Sequence, residues 1–155
     1  MTWDEVIFKV RDKLIAGVDY VKKITIVPSN TEYIEGNLGN VQIDDYAILL
    51  SVPDGGAYSA EPLLAGLKRK RFDIVITIIP KSDPATLNRM WGVGVKKGTF
   101  KIQDDVVIIL EHNTLDGTVD SKAGTNFEVP WIQLETNNKA VTAYTTIYSA
   151  IKTEK

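Results

Sequence analysis

Apolar residues recur at three- and four-residue intervals near the start of the chain, which predicts an amphipathic helix over residues 3–16. Thr2 followed by Glu5 fits a capping box. In this motif the Thr2 hydroxyl accepts a hydrogen bond from the Glu5 amide, and the Glu5 carboxylate accepts one from the Thr2 amide. Gly17 stands where this helix is expected to end. The apolar stripe of the helix consists of Trp3, Val6, Ile7, Val10 and Leu14.

Alternating or β-branched stretches predict five strands, at residues 21–28, 44–52, 70–80, 127–136 and 140–152. The third strand is the clearest, because its even-numbered positions from Phe72 to Ile78 are all apolar and must meet helices. Its odd-numbered positions include Val75 and Ile79, so the opposite face is mostly apolar as well. A tight turn is expected at residues 137–139, between the last two strands.

Two more helices are predicted between the third and fourth strands. Residues 82–84 read Ser-Asp-Pro, and a capping residue followed by proline favours a helix over residues 84–91. The glycine-rich residues 92–98 then interrupt the pattern, and we interpret them as a flexible connection between helices. Apolar periodicity resumes over residues 101–112, which predicts the next helix.

This order of elements predicts an α+β domain. Consecutive strands with short links favour hairpins, so we expect a mainly antiparallel sheet of about five strands. The two main helices are expected to pack on one face of that sheet. Residues 1–155 are expected to form a single domain, with a protruding loop at residues 53–69.

The composition of the chain excludes several kinds of functional site. The 155 residues include no cysteine and one histidine, and the formal net charge is −2. Disulfides, thiol nucleophiles and metal sites with two imidazoles are therefore excluded. Net charge near zero argues against global attraction to nucleic acid or an anionic membrane. The acidic start of the chain does not resemble a signal peptide, so we expect assembly in a cytoplasm.

No stretch carries a convincing catalytic or cofactor motif. The order Lys97, Gly98, Thr99 does not fit a phosphate-binding loop, which needs glycine before the lysine. His112 lacks the context of a general base and fits a helix end. Adjacent acidic residues occur at positions 4–5, 44–45 and 104–105. The first and third pairs lie at predicted helix starts, and the second pair points to opposite faces of a strand, so structural roles are favoured. We expect no catalytic, cofactor or metal site, and no enzyme activity.

One dense basic run and a group of leucines stand out between the second and third strands. A free loop rarely carries three leucines in five residues, so we expect this loop to contact a partner. The basic run could bind an acidic partner or phosphates, or it could protect an exposed sheet edge. The docking loop predicted in this way contains Leu63, Leu64, Leu67, Lys68, Arg69, Lys70 and Arg71.

Aromatic residues in the last two strands suggest a subunit interface. Tyr144 and Tyr148 share one face of their strand, and we place them opposite the helices, together with Val75 and Ile79. Trp131 lies on the strand before. Aromatic side chains with polar tips on an uncovered sheet face are typical of interfaces. The alternative is a monomer whose long loops cover that face.

The order of elements resembles that of phage tail terminator proteins, also called tail completion proteins, of the lambda minor tail type. The resemblance lies in element order and covers nearly the whole chain, and residues 92–98 depart from it. The matching stretches are residues 2–17, 27–28, 44–53, 71–80, 102–117 and 141–152.

The resemblance implies a structural virion protein, located in the tail or neck, that forms a ring, typically a hexamer. Such a ring caps the tail tube and joins it to the head connector, so it implies contacts with the tail tube protein and the head–tail connector protein. The docking loop would contact the tube. The alternatives are a head–tail connector or sheath-associated virion protein, and a small-molecule-binding domain. No membrane partner and no sequence-specific nucleic acid is expected.

Overall fold

The computed structural model describes residues 2–27, 46–53, 58–80, 86–111, 113–117, 120, 125–127, 132–134 and 143–154. The helices in these ranges are α1 (Trp3–Gly17), α2 (Thr86–Trp91) and α3 (Thr99–Leu110). The strands are β1 (Lys23–Ile26), β2 (Ala47–Ser51), β3 (Tyr58–Pro62), β4 (Lys68–Ile79), β5 (Gly92–Val93), β6 (Lys96–Lys97), β7 (Thr125–Phe127), β8 (Ile132–Leu134) and β9 (Ala143–Glu154).

Helix α1 forms as its pattern predicts. The Thr2 hydroxyl accepts a hydrogen bond from the Glu5 amide at 3.3 Å, and the Thr2 amide donates to the Glu5 carboxylate at 2.9 Å. The predicted capping box is therefore confirmed. Gly17 lies directly against α3, because a Cβ at this position would come within 2.5 Å of the Ile109 side chain. The buried stripe of α1 is Val6, Ile7, Val10 and Leu14.

The sheet is organised around β4 and β9, which pair antiparallel along almost their whole length. β2 and β3 both run along the outer edge of β4, one beside each half of it. β7 and β8 occupy the outer edge of β9 in the same manner. β1 lies outside β2, so the order across the sheet is β1, β2, β4, β9, β7.

The sheet is mixed, and the prediction of a mainly antiparallel sheet is wrong. β1 pairs with β2 in the parallel direction, with Lys23 opposite Ala47 and Ile26 opposite Leu50. A parallel pair needs a long crossover connection, and the segment between Ile26 and Ala47 is long enough to supply one. The prediction assumed that strands consecutive in sequence are joined by hairpins, and this assumption fails here.

One face of the sheet packs against α1 and α3. The even-numbered positions of β4 lie on this face, as the alternation predicts. β9 presents Tyr148 and Ala150 to the same face, because Ile74 is opposite Tyr148 and Phe72 is opposite Ala150 in the ladder. Tyr148 has no exposed surface. The core on this side of the sheet includes Ile48, Leu50, Phe72, Ile74, Ile76, Ile78, Ile102, Val106, Leu110 and Tyr148.

The assignment of the tyrosines to an uncovered face is therefore wrong. Tyr144 pairs with Ile78 and lies on the helix side, with its ring 6.2 Å from the ring of Phe100 in α3. Val75 and Ile79 do lie on the other face, but Ile79 has no exposed surface and Val75 is half-buried. That face is thus already buried at Ile79 in the single chain. The error arises because both faces of β4 are apolar, so apolar pattern alone does not set the register of β9.

Residues 92–98 form a small β-hairpin rather than a flexible connection. β5 and β6 pair antiparallel, with Gly92 opposite Lys97. Gly92 has a φ of +85°, and a Cβ there would lie 2.4 Å from the carbonyl oxygen of Lys96. A Cβ at Gly98 would lie 2.4 Å from the carbonyl oxygen of Met90. Both glycines are therefore required by the close approach of backbone to backbone.

Replacing Tyr148 and its neighbour Ile147 by alanine tests the register of β9. We expect Tyr148→Ala to lower the free energy of unfolding by about 3–5 kcal/mol, since it empties a filled core position. Ile147→Ala changes a half-buried side chain on the opposite face, and we expect a loss of about 1 kcal/mol. Urea denaturation at matched protein concentration measures both values. Equal losses would contradict the register described above.

Candidate functional site

The segment predicted as a protruding loop is largely a β-hairpin. β3 pairs with the first half of β4, from Tyr58 opposite Phe72 to Pro62 opposite Lys68. We call β3, residues 63–67 and the paired half of β4 the arm. The prediction of a loop over residues 53–69 is wrong within the arm, because backbone pairing along β4 orders it.

A single exposed leucine marks the tip of the arm. The Leu63 amide donates to the Leu67 carbonyl at 2.8 Å, which closes a tight turn. Ala65 and Gly66 within the turn have positive φ values of 60° and 74°. Leu64 is 90% exposed, whereas Leu63 and Leu67 are half-buried. Of the three leucines predicted to contact a partner, the structure leaves Leu64 most available.

The basic run lies on β4 and faces carboxylates, so it is not an isolated positive patch. Lys68 is exposed at the start of the strand. The Asp73 carboxylate that faces the run also accepts from the Ser149 hydroxyl at 2.6 Å. These partly exposed ion pairs stabilise the fold little, but they offset the local charge. The pairs are Arg69 with Glu61 at 3.7 Å, Lys70 with Glu154, and Arg71 with Asp73 at 2.9 Å.

The five predicted interface residues do not form one surface. Tyr144 and Tyr148 lie on the helix side of the sheet, and Val75 and Ile79 lie on the other side. Trp131 lies outside the described residues, as do His112, residues 82–84 and residues 137–139. The two sides of a sheet cannot contribute to one flat interface, so this grouping is not supported by the geometry.

An apolar surface that the sequence reasoning missed lies on α2 and the β5–β6 hairpin. Leu87 and Trp91 are one helical turn apart on α2 and are 67% and 69% exposed. Val93 is half exposed, and Val95, at the turn of the hairpin, is fully exposed. We call these four side chains the hairpin patch. Scattered exposed apolar residues are ordinary, but four such residues within nine positions suggest a contact surface.

The basic residues near the hairpin patch are partly buried or paired, since Arg89 is 6% exposed and the Lys101 ammonium lies 2.9 Å from the Asp105 carboxylate. No acidic residue occurs between Asp83 and Asp104. The absence of acids along this window overstates the positive charge of the surface, because Asp105 lies beside Lys101 in the structure. The cationic residues in the window are Arg89, Lys96, Lys97 and Lys101.

Aromatic packing fixes the patch to the core. The Trp91 ring lies edge-on to the Phe100 ring, with centroids 4.9 Å apart. Phe100 in turn contacts the ring of Tyr144 on β9. The Lys97 amide donates to the Tyr46 hydroxyl at 2.6 Å, which ties the hairpin to the start of β2. The patch is therefore presented on a rigid support.

A polar cluster joins the segment after α1 to α3. The Tyr20 hydroxyl donates to one oxygen of Asp105 at 2.5 Å, and the Lys101 ammonium donates to the other at 2.9 Å. The Tyr20 ring lies edge-on to Tyr46, and the Lys97 ammonium lies 4.7 Å from its centroid. Burial and the bond to Asp105 raise the pKa of Tyr20, so the phenol stays protonated and acts as a donor. The cluster therefore holds elements together.

No group of three or more His, Cys, Asp or Glu side chains is arranged to hold a metal ion within the described ranges. In the same part of the chain, no helix is long and apolar enough to cross a membrane. No protein-family model matches the sequence, and no curated protein is similar to it.

Stability should depend on pH through Asp105. Burial raises the pKa of this carboxyl, but the hydrogen bonds from Tyr20 and Lys101 outweigh burial and the net pKa is lowered. A lowered pKa means that Asp105 stabilises the fold above about pH 4 and loses this effect as the pH falls. We expect the difference in unfolding free energy between the parent and Asp105→Asn to be present at pH 7 and to shrink below pH 4.

Asp104→Asn is the matched control, because Asp104 is exposed on the same turn of α3. We expect it to change the unfolding free energy by less than about 0.5 kcal/mol at either pH. Urea titrations of the three proteins at both pH values provide the comparison. A parent-to-Asp105→Asn difference that stays constant on acidification would show that Asp105 is not stabilised by its two donors.

Proposed function

We propose that this chain is a structural virion protein of a tailed phage, a ring-forming tail terminator that caps the tail tube and joins it to the head connector. The observation that supports this proposal is the placement of exposed apolar side chains, the arm tip and the hairpin patch, at opposite ends of the β4–β9 pair. The choice of a tail terminator among assembly proteins rests on the resemblance in element order.

The separation of the two surfaces follows from the register. The arm tip precedes Lys68, which pairs with Glu154 at one end of the ladder. The hairpin patch adjoins Tyr144, which pairs with Ile78 at the other end. At roughly 3.3 Å per residue, a strand of twelve residues spans about 40 Å. A subunit of this form can contact different partners at its two ends.

The proposed mechanism is steric. Subunits join head to tail into a closed ring, which is typically a hexamer in the family that the chain resembles. The arm, with Leu64 at its tip, contacts the last ring of the tail tube protein and blocks further addition. The opposite side of the ring is available to the head–tail connector protein. The ring is assembled in the host cytoplasm and needs no catalysis, cofactor, membrane or sequence-specific nucleic acid.

Particles made without this protein test the proposal. Tails of uncontrolled length, seen by electron microscopy, would support a tail terminator. Tails of normal length without heads would contradict it and favour the head–tail connector. Light scattering coupled to size-exclusion chromatography provides the second measurement. If the protein stays monomeric at concentrations of tens of micromolar with tail tubes present, the proposal of a ring is overturned.

Leu64→Asp tests the role of the arm. Since Leu64 is 90% exposed, we expect the free energy of unfolding to change by less than about 0.5 kcal/mol. We expect binding to isolated tail tubes, measured by co-sedimentation, to weaken at least tenfold, because a buried contact would receive an unpaired charge. Leu64→Met is the matched control and should bind as the parent does. Equal binding by all three proteins would exclude the arm tip from the contact.

A further inference from the structure

The edge of β3 that faces away from β4 carries no partner strand among the described residues. β3 pairs with β4 along its whole length, and no described strand lies beyond it. Ser59, Ala60, Glu61 and Pro62 are all exposed. We call the outward-facing backbone of residues 58–62 the arm edge. An unpaired edge of this kind is a template for a further strand.

The end of β3 shows which backbone groups face outward. Pro62 lies opposite Lys68 and has no N–H to donate. The Leu63 amide donates to the Leu67 carbonyl at 2.8 Å, which is the bond expected beside a non-hydrogen-bonded pair of an antiparallel ladder. The Pro62 carbonyl therefore points away from β4.

Alternation along the strand then fixes the other backbone groups. Ser59 and Glu61 form hydrogen-bonded pairs with β4, so their N–H and C=O groups are used. Tyr58 and Ala60 direct theirs away from β4, in the same direction as the Pro62 carbonyl. The arm edge therefore offers amide donors at two positions, Tyr58 and Ala60, and carbonyl acceptors at these positions and at Pro62.

The outer edge of β9 at the same end of the ladder is closed instead. The Asp120 amide donates to the Ile151 carbonyl at 2.8 Å, and the Thr153 amide donates to the Asp120 carboxylate at 2.9 Å. One residue thus occupies edge groups of β9 beyond its pairing with β7. On β3, Pro62 withholds a donor but keeps its carbonyl, so the arm edge is still able to pair.

We propose that the arm edge pairs with the arm edge of a second copy of this chain, as antiparallel strands related by a two-fold axis at Ala60. Ala60 then faces the partner's Ala60, and the two exchange both of their hydrogen bonds. The Tyr58 amide donates to the carbonyl of the partner's Pro62. Each amide donor of the arm edge finds an acceptor, so the pattern is complementary to itself.

The side chains of β3 are compatible with this pairing. Ser59 lies opposite the partner's Glu61, so the two carboxylates do not face each other directly, which would be destabilising. The Glu61 carboxylate is also offset by Arg69 of its own chain, 3.7 Å away. Ser59 and Ala60 are small, so the two strands can approach to the ordinary spacing of a sheet.

The contact is separate from the proposed ring. It uses the same surface on both copies, so it joins two copies and does not propagate. It also uses neither Leu64 nor the hairpin patch. β3 has five residues, and a contact of this length buries less area than a stable dimer needs. We therefore expect a weak dimer, populated at about 100 µM and above.

Single-cysteine variants test the register, because the parent chain contains no cysteine. In the proposed pairing the two Ala60 Cα atoms lie about 5.5 Å apart, which suits a disulfide. Ser59→Cys is the matched control, since its cysteine would face the partner's Glu61. In a glutathione redox buffer, we expect Ala60→Cys to form disulfide dimers at least ten times faster than Ser59→Cys. Equal rates, or a faster rate for Ser59→Cys, would overturn the pairing.

Ala60→Pro provides a second measurement. It removes an outward N–H and breaks no bond to β4, so we expect an unchanged circular dichroism spectrum. In sedimentation equilibrium at about 300 µM, we expect the parent to associate in pairs and Ala60→Pro to associate at least tenfold more weakly. Ala60→Val keeps the N–H and should associate as the parent does.

The outcomes distinguish this contact from the ring. A parent that shows no pairwise association at this concentration would overturn the contact. Pairwise association that is equally strong in Ala60→Pro would overturn it as well, because another surface would then be responsible. A ring that persists while Ala60→Cys fails to crosslink would overturn only the contact. Rapid crosslinking of Ala60→Cys, together with weakened association of Ala60→Pro, supports the pairing whether or not a ring forms.

Discussion

The pairing of β4 with β9 is the constraint on which the rest of the structure depends. The ladder runs from Lys68 opposite Glu154 to Ile78 opposite Tyr144. It is longer than the part of the sheet that the helices cover, so one end extends as the arm, while the other end lies under the hairpin patch. Because residues along a strand alternate between faces, this one register also decides which side chains meet α1 and α3.

The elements formed by local interactions could be predicted from sequence. Helix α1, its capping box and its buried stripe follow from spacing alone, since each contact joins residues a few positions apart. The helix-facing side of β4 also follows, because its even-numbered positions are uniformly apolar. These features need no knowledge of distant parts of the chain, which is why the prediction succeeds for them.

Features that depend on distant pairing could not be predicted in this way. The parallel direction of β1 against β2 depends on a connection of about twenty residues, whose path is not encoded in either strand. The position of Tyr148 depends on a register in which two apolar faces compete, and a shift of one residue would exchange them. The charge of the basic run also depends on distant pairing. Its carboxylate partners Glu61 and Glu154 lie on other strands, so its density along the chain overstates its charge in space.

The hairpin patch shows the opposite relation between sequence and space. Its hydrophobic residues are dispersed among glycines and lysines, so no short motif stands out, yet α2 and the β5–β6 hairpin bring them to one end of the sheet. Gly92 and Gly98 are needed there to let backbones approach, not to make a flexible link. The two glycines therefore help to build a rigid support on which valines are exposed. The stability of the monomer alone does not account for this arrangement, because burying those valines would stabilise the monomer more. The rigidity and the exposure together are the reason for treating the hairpin patch as a candidate contact surface.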